Sequence, residues 1–167
     1  MQNHFDLFDL PQQFSIDLAQ LDSAFREVQS QVHPDKFVQS GDAEKRVAMQ
    51  WATRANEAYQ TLKKPLKRAR YLCELEGVDL QTESNTSMPA DFLMQQMEWR
   101  ESFDEAKKRS ETDAMARLEN EVALALKRQI EKLSSLLDRK DFVAAAKEIR
   151  ACLFLEKFIE DIAAAAE

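Results

Sequence analysis

Apolar residues recur at steps of three and four from Leu18 through Leu21, Phe25 and Val28 to Val32, the period of one buried helix face. Pro34 follows at once. Proline crowds the residue before it toward an extended conformation, so the helix is predicted to stop at His33. A polar loop, Gln39-Ser40-Gly41-Asp42, leads to a second stripe of Ala48, Trp51, Ala55, Ala58 and Leu62, with Tyr59 beside it. Two amphipathic helices joined by a short turn predict an antiparallel pair, since each stripe needs a partner to bury against. The tip of that hairpin holds an imidazole and a carboxylate, His33 and Asp35, one residue either side of a rigid ring. Such a tip lies away from the buried faces, where it meets other molecules.

The pattern on either side completes an all-α reading. A short helix at about 4–8 is predicted to pack Phe5 and Phe8 on the hairpin and to close at Pro11. Asp17 with Gln20 three residues on is a capping-box pattern for the second helix. After Pro65, Leu66, Ala69, Leu72 and Leu75 define an inward stripe, and Gly77 suits the helix C-terminal cap. Lys63, Lys64, Lys67, Arg68 and Arg70 form a basic cluster, read as a solvated face near the carbonyl end of the third helix, with a docking surface as the lesser alternative. Residues 81–87 are polar and non-periodic and read as a linker, and Pro89 then opens a helix at the position proline favours. Three helical patterns fill the rest, at about 89–109, 113–138 and 141–165. The middle one carries Leu118, Val122, Leu126, Ile130, Leu133 and Leu137, and the last Phe142, Ala145, Ala146, Ile149 and Leu153. The predicted organisation is a helical domain over 1–79, a linker over 80–88 and a three-helix bundle over 89–167.

The first bundle helix has apolar residues on two sides. At about 100° per residue, Phe92, Trp99, Phe103 and Ala106 share one face, while Leu93, Met94 and Met97 fall nearly opposite, bordered by Glu98 and Glu101. A bundle helix needs one buried stripe. The second is surplus apolar surface, and its methionines suit contact with a partner that must be accommodated. The alternative is that it packs on the N-terminal domain or the linker. Phe154 and Phe158 of the last helix leave the line set by Phe142, Ile149 and Leu153; they either cap the core or extend that patch.

Composition removes several function classes. Two glycines and four prolines in 167 residues argue against an all-β fold and against glycine-rich phosphate-binding loops. A net charge of -7 disfavours nucleic acid or an anionic membrane as partner, and no apolar run approaches a membrane span. The two histidines, His4 and His33, and the two cysteines, Cys73 and Cys152, match no metal-ligand spacing. Neither a metal nor another cofactor is expected, and no nucleophile has a base beside it. The cysteines read as small buried residues in a reducing compartment. The acidic N-terminus lacks the marks of a secretory or transit signal, so a cytoplasmic location is expected.

His33-Pro34-Asp35-Lys36 between two helices, then Asn56-Glu57-Ala58-Tyr59, Leu62, Pro65 and Arg68-Ala69-x-Tyr71, resembles the J-domain family. The opening Phe5-x-Leu7-Phe8-x-Leu10-Pro11 fits that family's first helix. Pro65-Leu66-x-Arg68-Ala69-x-Tyr71-Leu72 with Gly77, and later Phe92-Leu93-Met94-Gln95-Gln96-Met97-Glu98, point to the bacterial HscB branch, the co-chaperones of iron–sulfur cluster assembly. The sequence departs from many J-domains in its second helix, where Arg26 is the only cation and Val32 replaces a commoner tyrosine. The resemblance implies a protein without chemistry of its own. His33, Pro34, Asp35 and Lys36, with Arg26, would engage a DnaK-class chaperone (HscA) and stimulate its ATPase. Leu93, Met94, Met97, Glu98, Glu101 and Phe154 would hold the cluster scaffold protein IscU. A J-domain adaptor for some other client is the alternative.

Overall fold

The computed structural model describes residues 2–80, 88 and 90–167; the linker expected over 81–87 and the helix-opening role of Pro89 lie outside them. The described residues form seven α-helices and no strand: α1 (His4–Leu7), α2 (Leu18–Val32), α3 (Asp42–Lys63), α4 (Pro65–Leu75), α5 (Ala90–Lys108), α6 (Thr112–Asp138) and α7 (Phe142–Ala165). A 3-10 helix, Pro34–Phe37, forms the proline-braced tip of the hairpin. The chain divides into two compact units, one ending at Leu72 and the other beginning at Cys73, so the division falls inside α4.

In the first unit α2 and α3 form the predicted hairpin, closed by α1. Leu21, Ala55, Ala58 and Leu62 are buried with Phe5 and Phe8. Phe8 meets Phe25 edge-on at 6.3 Å, and Phe25 stacks on Tyr59 at 4.1 Å. Asp17 caps α2 by accepting from the amides of Ala19 and Gln20. Two stripe members behave otherwise: Leu18 is 48% exposed at the first turn of α2 and Trp51 is 38% exposed near the middle of α3.

Arg68 corrects the reading of the basic cluster. It is buried, donating from Nε to the Phe14 carbonyl and from Nη1 to the Leu62 carbonyl, both at 2.6 Å, with its guanidinium 4.9 Å above the Phe14 ring. It satisfies a carbonyl in the last turn of α3, which has no intrahelical donor. The pattern identified neither Arg68 nor the buried Phe14 as core.

In the second unit α5, α6 and α7 pack as a three-helix bundle around Phe92, Trp99, Phe103, Leu118, Val122, Leu155, Phe158 and Ile162. Cys73 and Cys152 are buried and unbridged. Burial pushes their thiols up to about 11 and about 12, so both stay protonated at neutral pH and are poor nucleophiles. Leu75 and Leu153, expected inward, are 37% and 38% exposed. Cys152 and Leu155, on either side of Leu153, take the core positions instead.

Four helices in the two units end in the same way. At α4 the Val78 amide bonds the Cys73 carbonyl and the Gly77 amide bonds the Glu74 carbonyl, with Gly77 at φ +79°. This Schellman closure needs a left-handed residue, which glycine adopts without a Cβ clash. The same pair of bonds closes α1, α5 and α6, but with Asp9, Ser110 and Lys140 at φ +53°, +54° and +60°.

Candidate functional site

The loop at the hairpin tip is built by its own backbone and by His33. The residue before Pro34 is extended, at φ -61° and ψ 137°, as proline requires of its neighbour. Pro34 occupies the first helical turn, where its missing amide hydrogen costs no bond. His33 is the N-cap: its Nδ1 accepts the Asp35 amide hydrogen at 3.2 Å. In that arrangement Nδ1 carries no proton, and the neutral ring's donor is Nε2–H. The Lys36 amide bonds the His33 carbonyl at 3.0 Å, completing a rigid turn.

Asp35 stands on this turn with its side chain 89% exposed, one oxygen 3.6 Å from His33 Nδ1. His33, Pro34 and Lys36 are also exposed. The structure thus brings these four residues into one turn. Arg26 lies seven residues earlier on α2, about 10 Å along the axis, and is exposed. Its neighbourhood is that of Tyr59, whose hydroxyl donates to Asp22 at 2.7 Å. That hydrogen bond raises the phenol's pKa, and the Arg26 charge opposes the rise.

In the second unit, α5 separates its two faces cleanly. Phe92, Trp99, Phe103 and Ala106 are buried, whereas Leu93, Met94 and Met97 are 41%, 64% and 65% exposed. Glu98 and Glu101 are exposed beside them. Phe154 is half-buried, edge-on to Phe92 at 6.1 Å and tilted against Phe158 at 6.4 Å. Phe158 itself is core, with the Arg100 guanidinium 4.8 Å over its ring. Both aromatics therefore cap the bundle core, and Phe154 retains an open edge.

Sequence reasoning missed Glu148 and Arg150, both buried on α7. Glu148 pairs with Lys132 Nζ at 3.0 Å, at the edge of a cavity of about 430 Å³ that Asp91, Trp99, Glu121 and Arg128 also line. The available signal was that α7 is apolar on most sides, so a charged residue in its middle has little solvent face to occupy. Among the described residues no three metal-ligating side chains gather, and no helix is long and apolar enough to cross a membrane. What the described residues present is an exposed carboxylate on a turn in one unit and an exposed apolar, acid-flanked helix face in the other.

A family model described as the HSCB C-terminal oligomerisation domain matches residues 88–163. The chain is 52% identical over 165 residues to a co-chaperone protein HscB homolog of Burkholderia multivorans, covering 99% of this chain and 94% of that one. Among solved structures it is similar to the chaperone HscB of Vibrio cholerae, with a TM-score of 0.83 and 34% identity over 96% of this chain and 95% of the other. It is also similar to the human co-chaperone HscB, with a TM-score of 0.86 and 30% identity over 97% and 81%.

Proposed function

The chain belongs to the HscB family of co-chaperones, and on that premise we propose that it is a two-ended adaptor for iron–sulfur cluster assembly. The first unit engages a DnaK-class chaperone, HscA in the family, through His33, Pro34, Asp35 and Lys36, with Arg26 further along α2, and stimulates its ATPase. The bundle holds the scaffold protein IscU on Leu93, Met94, Met97, Glu98, Glu101 and the open edge of Phe154. The adaptor itself carries out no covalent step and acts in the cytoplasm.

The observation that carries this reading is the exposed Leu93, Met94 and Met97 face of a helix whose opposite face already fills the core. Contiguous apolar side chains left in water on a helix that needs no further burial mark a binding surface. Its carboxylate border, Glu98 and Glu101, favours a scaffold surface bearing lysine or arginine.

The test is a titration of scaffold protein against wild type and the triple variant Leu93→Ala, Met94→Ala, Met97→Ala. Scaffold affinity is expected to fall by about a hundredfold, a loss of roughly 3 kcal/mol from three partner-buried side chains, with the melting temperature nearly unchanged. Unaltered affinity in the folded variant contradicts the assignment. Wild-type protein that stimulates the chaperone yet binds no scaffold identifies an adaptor for another client.

A further inference from the structure

α3 has 22 residues and α2 only 15, so α3 is longer by about 10 Å. Beside its first turns lies the Pro34–Phe37 turn rather than a further length of α2. The consequence is an apolar groove of about 330 Å³ at the hairpin tip, lined by Val32, Phe37, Val47, Ala48 and Trp51, with Glu44 as its one charged residue. Val47 and Trp51 are 51% and 38% exposed, and Val38, next to Phe37 in sequence, is 65% exposed. Among the described residues nothing covers it.

We propose that this groove receives an apolar side chain of the DnaK-class chaperone, seated while Asp35 makes its own contact. The inference rests on the reading of the His33–Lys36 turn as the chaperone-binding loop. The two features are continuous: Phe37, a groove wall, belongs to the same four-residue 3-10 helix as Asp35. A partner gripping the carboxylate therefore has its adjoining surface against the groove. The charges select the occupant, since Asp35 on one side and Glu44 on the lip favour an aliphatic residue flanked by lysine or arginine.

Trp51 is prepared for the contact. The Arg54 guanidinium lies 5.3 Å from its ring centroid, and Arg54 is in turn tied to the Gln2 carbonyl at 2.5 Å. An aromatic wall held in place before binding loses little entropy on closure. A second copy of this chain is a poorer occupant. Three exposed apolar side chains fall short of the roughly 800 Å² per partner that a stable interface buries.

The test uses the full-length protein labelled with 5-fluorotryptophan, whose two fluorine lines, from Trp51 and Trp99, are assigned with the variant Trp51→Phe. Saturating ATP-bound chaperone is expected to shift the Trp51 line and leave the Trp99 line in place. A Trp51 line that does not move in the saturated complex overturns the groove, while loss of ATPase stimulation in Asp35→Asn keeps the loop reading intact. Normal stimulation by Asp35→Asn removes both. A Trp51 shift that follows the protein's own concentration without chaperone assigns the groove to self-association and overturns the proposal.

The double variant Val47→Ser, Trp51→Ala is expected to need about tenfold more co-chaperone for half-maximal stimulation and to reach the wild-type maximum. An unchanged half-maximal concentration overturns the proposal. Both residues are substantially exposed, and the fluorine measurement, which leaves Val47 and the Trp51 indole in place, decides the matter if the variant melts early.

Discussion

Asp35 is held through its neighbours. Pro34 restricts the backbone before it, and His33 takes its amide hydrogen, so both carboxylate oxygens remain available to a partner. An arginine meets such a group with two parallel hydrogen bonds; an asparagine offers one acceptor in place of two and no charge. Asp35→Asn is expected to bring chaperone ATPase stimulation close to the unstimulated rate in single-turnover phosphate release. Its stability should stay within about 0.5 kcal/mol of wild type, as for exposed substitutions generally. A folded variant that stimulates normally removes the loop from the mechanism.

His4 carries the clearest pH signature in the first unit. Its ring stacks on Tyr71 at 4.3 Å. Desolvation lowers its pKa from 6.5, Glu57 opposes the shift and Arg54 adds to it. The folded state therefore binds fewer protons than the unfolded chain once pH falls to about 6.5, and stability drops with pH through that window. Denaturant midpoints followed by Tyr71-sensitive near-ultraviolet dichroism should decrease from pH 7.5 to 5.5, and by less in His4→Gln. Equal slopes in the two proteins contradict this role. Asp35 was legible because a proline-braced acid at a hairpin tip has nowhere to be buried. Arg68 was not, since two carbonyls and the Phe14 ring, which only the fold brings to it, outweigh its membership of a cationic run.

At the scale of the elements, the helices and their faces follow from period, and α5 is the strongest case. Its sequence carries two apolar stripes, and the fold buries one and leaves the other open. Periodicity failed where it had little contrast to work with. α7 is apolar on most sides, so the line through Leu153 looked as suitable as the one through Cys152 and Leu155 that the core uses. Trp51 departed for another reason: it shares a groove with Val32, the last residue of α2, at the open end of the hairpin. The helix ends were legible at Gly77 alone, because the other three Schellman closures use residues that do not advertise a left-handed backbone. Lys140 at φ +60° bears a strain of roughly 1–2 kcal/mol that glycine avoids. Glycine's extra freedom in the unfolded chain offsets about 0.4–1 kcal/mol of that. Lys140→Gly should therefore stabilise the bundle by about 0.5–1 kcal/mol, read from urea midpoints at constant slope. A destabilised variant would show that the Lys140 side chain contributes more than its backbone costs.

At the scale of the whole molecule, the proposed function depends on the two faces residing in one chain. Asp35 is exposed in one unit and Leu93, Met94 and Met97 in the other. Once the scaffold is held, its encounter with the chaperone becomes effectively intramolecular, and each contact needs only modest affinity. Separable faces make an asymmetric prediction about competition. Excess Asp35→Asn protein still holds scaffold but recruits no chaperone, so it should withdraw scaffold from a wild-type reaction and suppress scaffold-dependent ATPase turnover. Excess triple-alanine protein keeps the loop and lacks the scaffold face, so it should leave scaffold in solution and sustain the stimulation that needs no scaffold. Steady-state ATPase with wild type, chaperone and scaffold fixed, titrated with each variant, measures the difference. Suppression by both variants that added scaffold relieves equally would mean that one surface serves both partners, and the division of labour between the hairpin tip and α5 would fall.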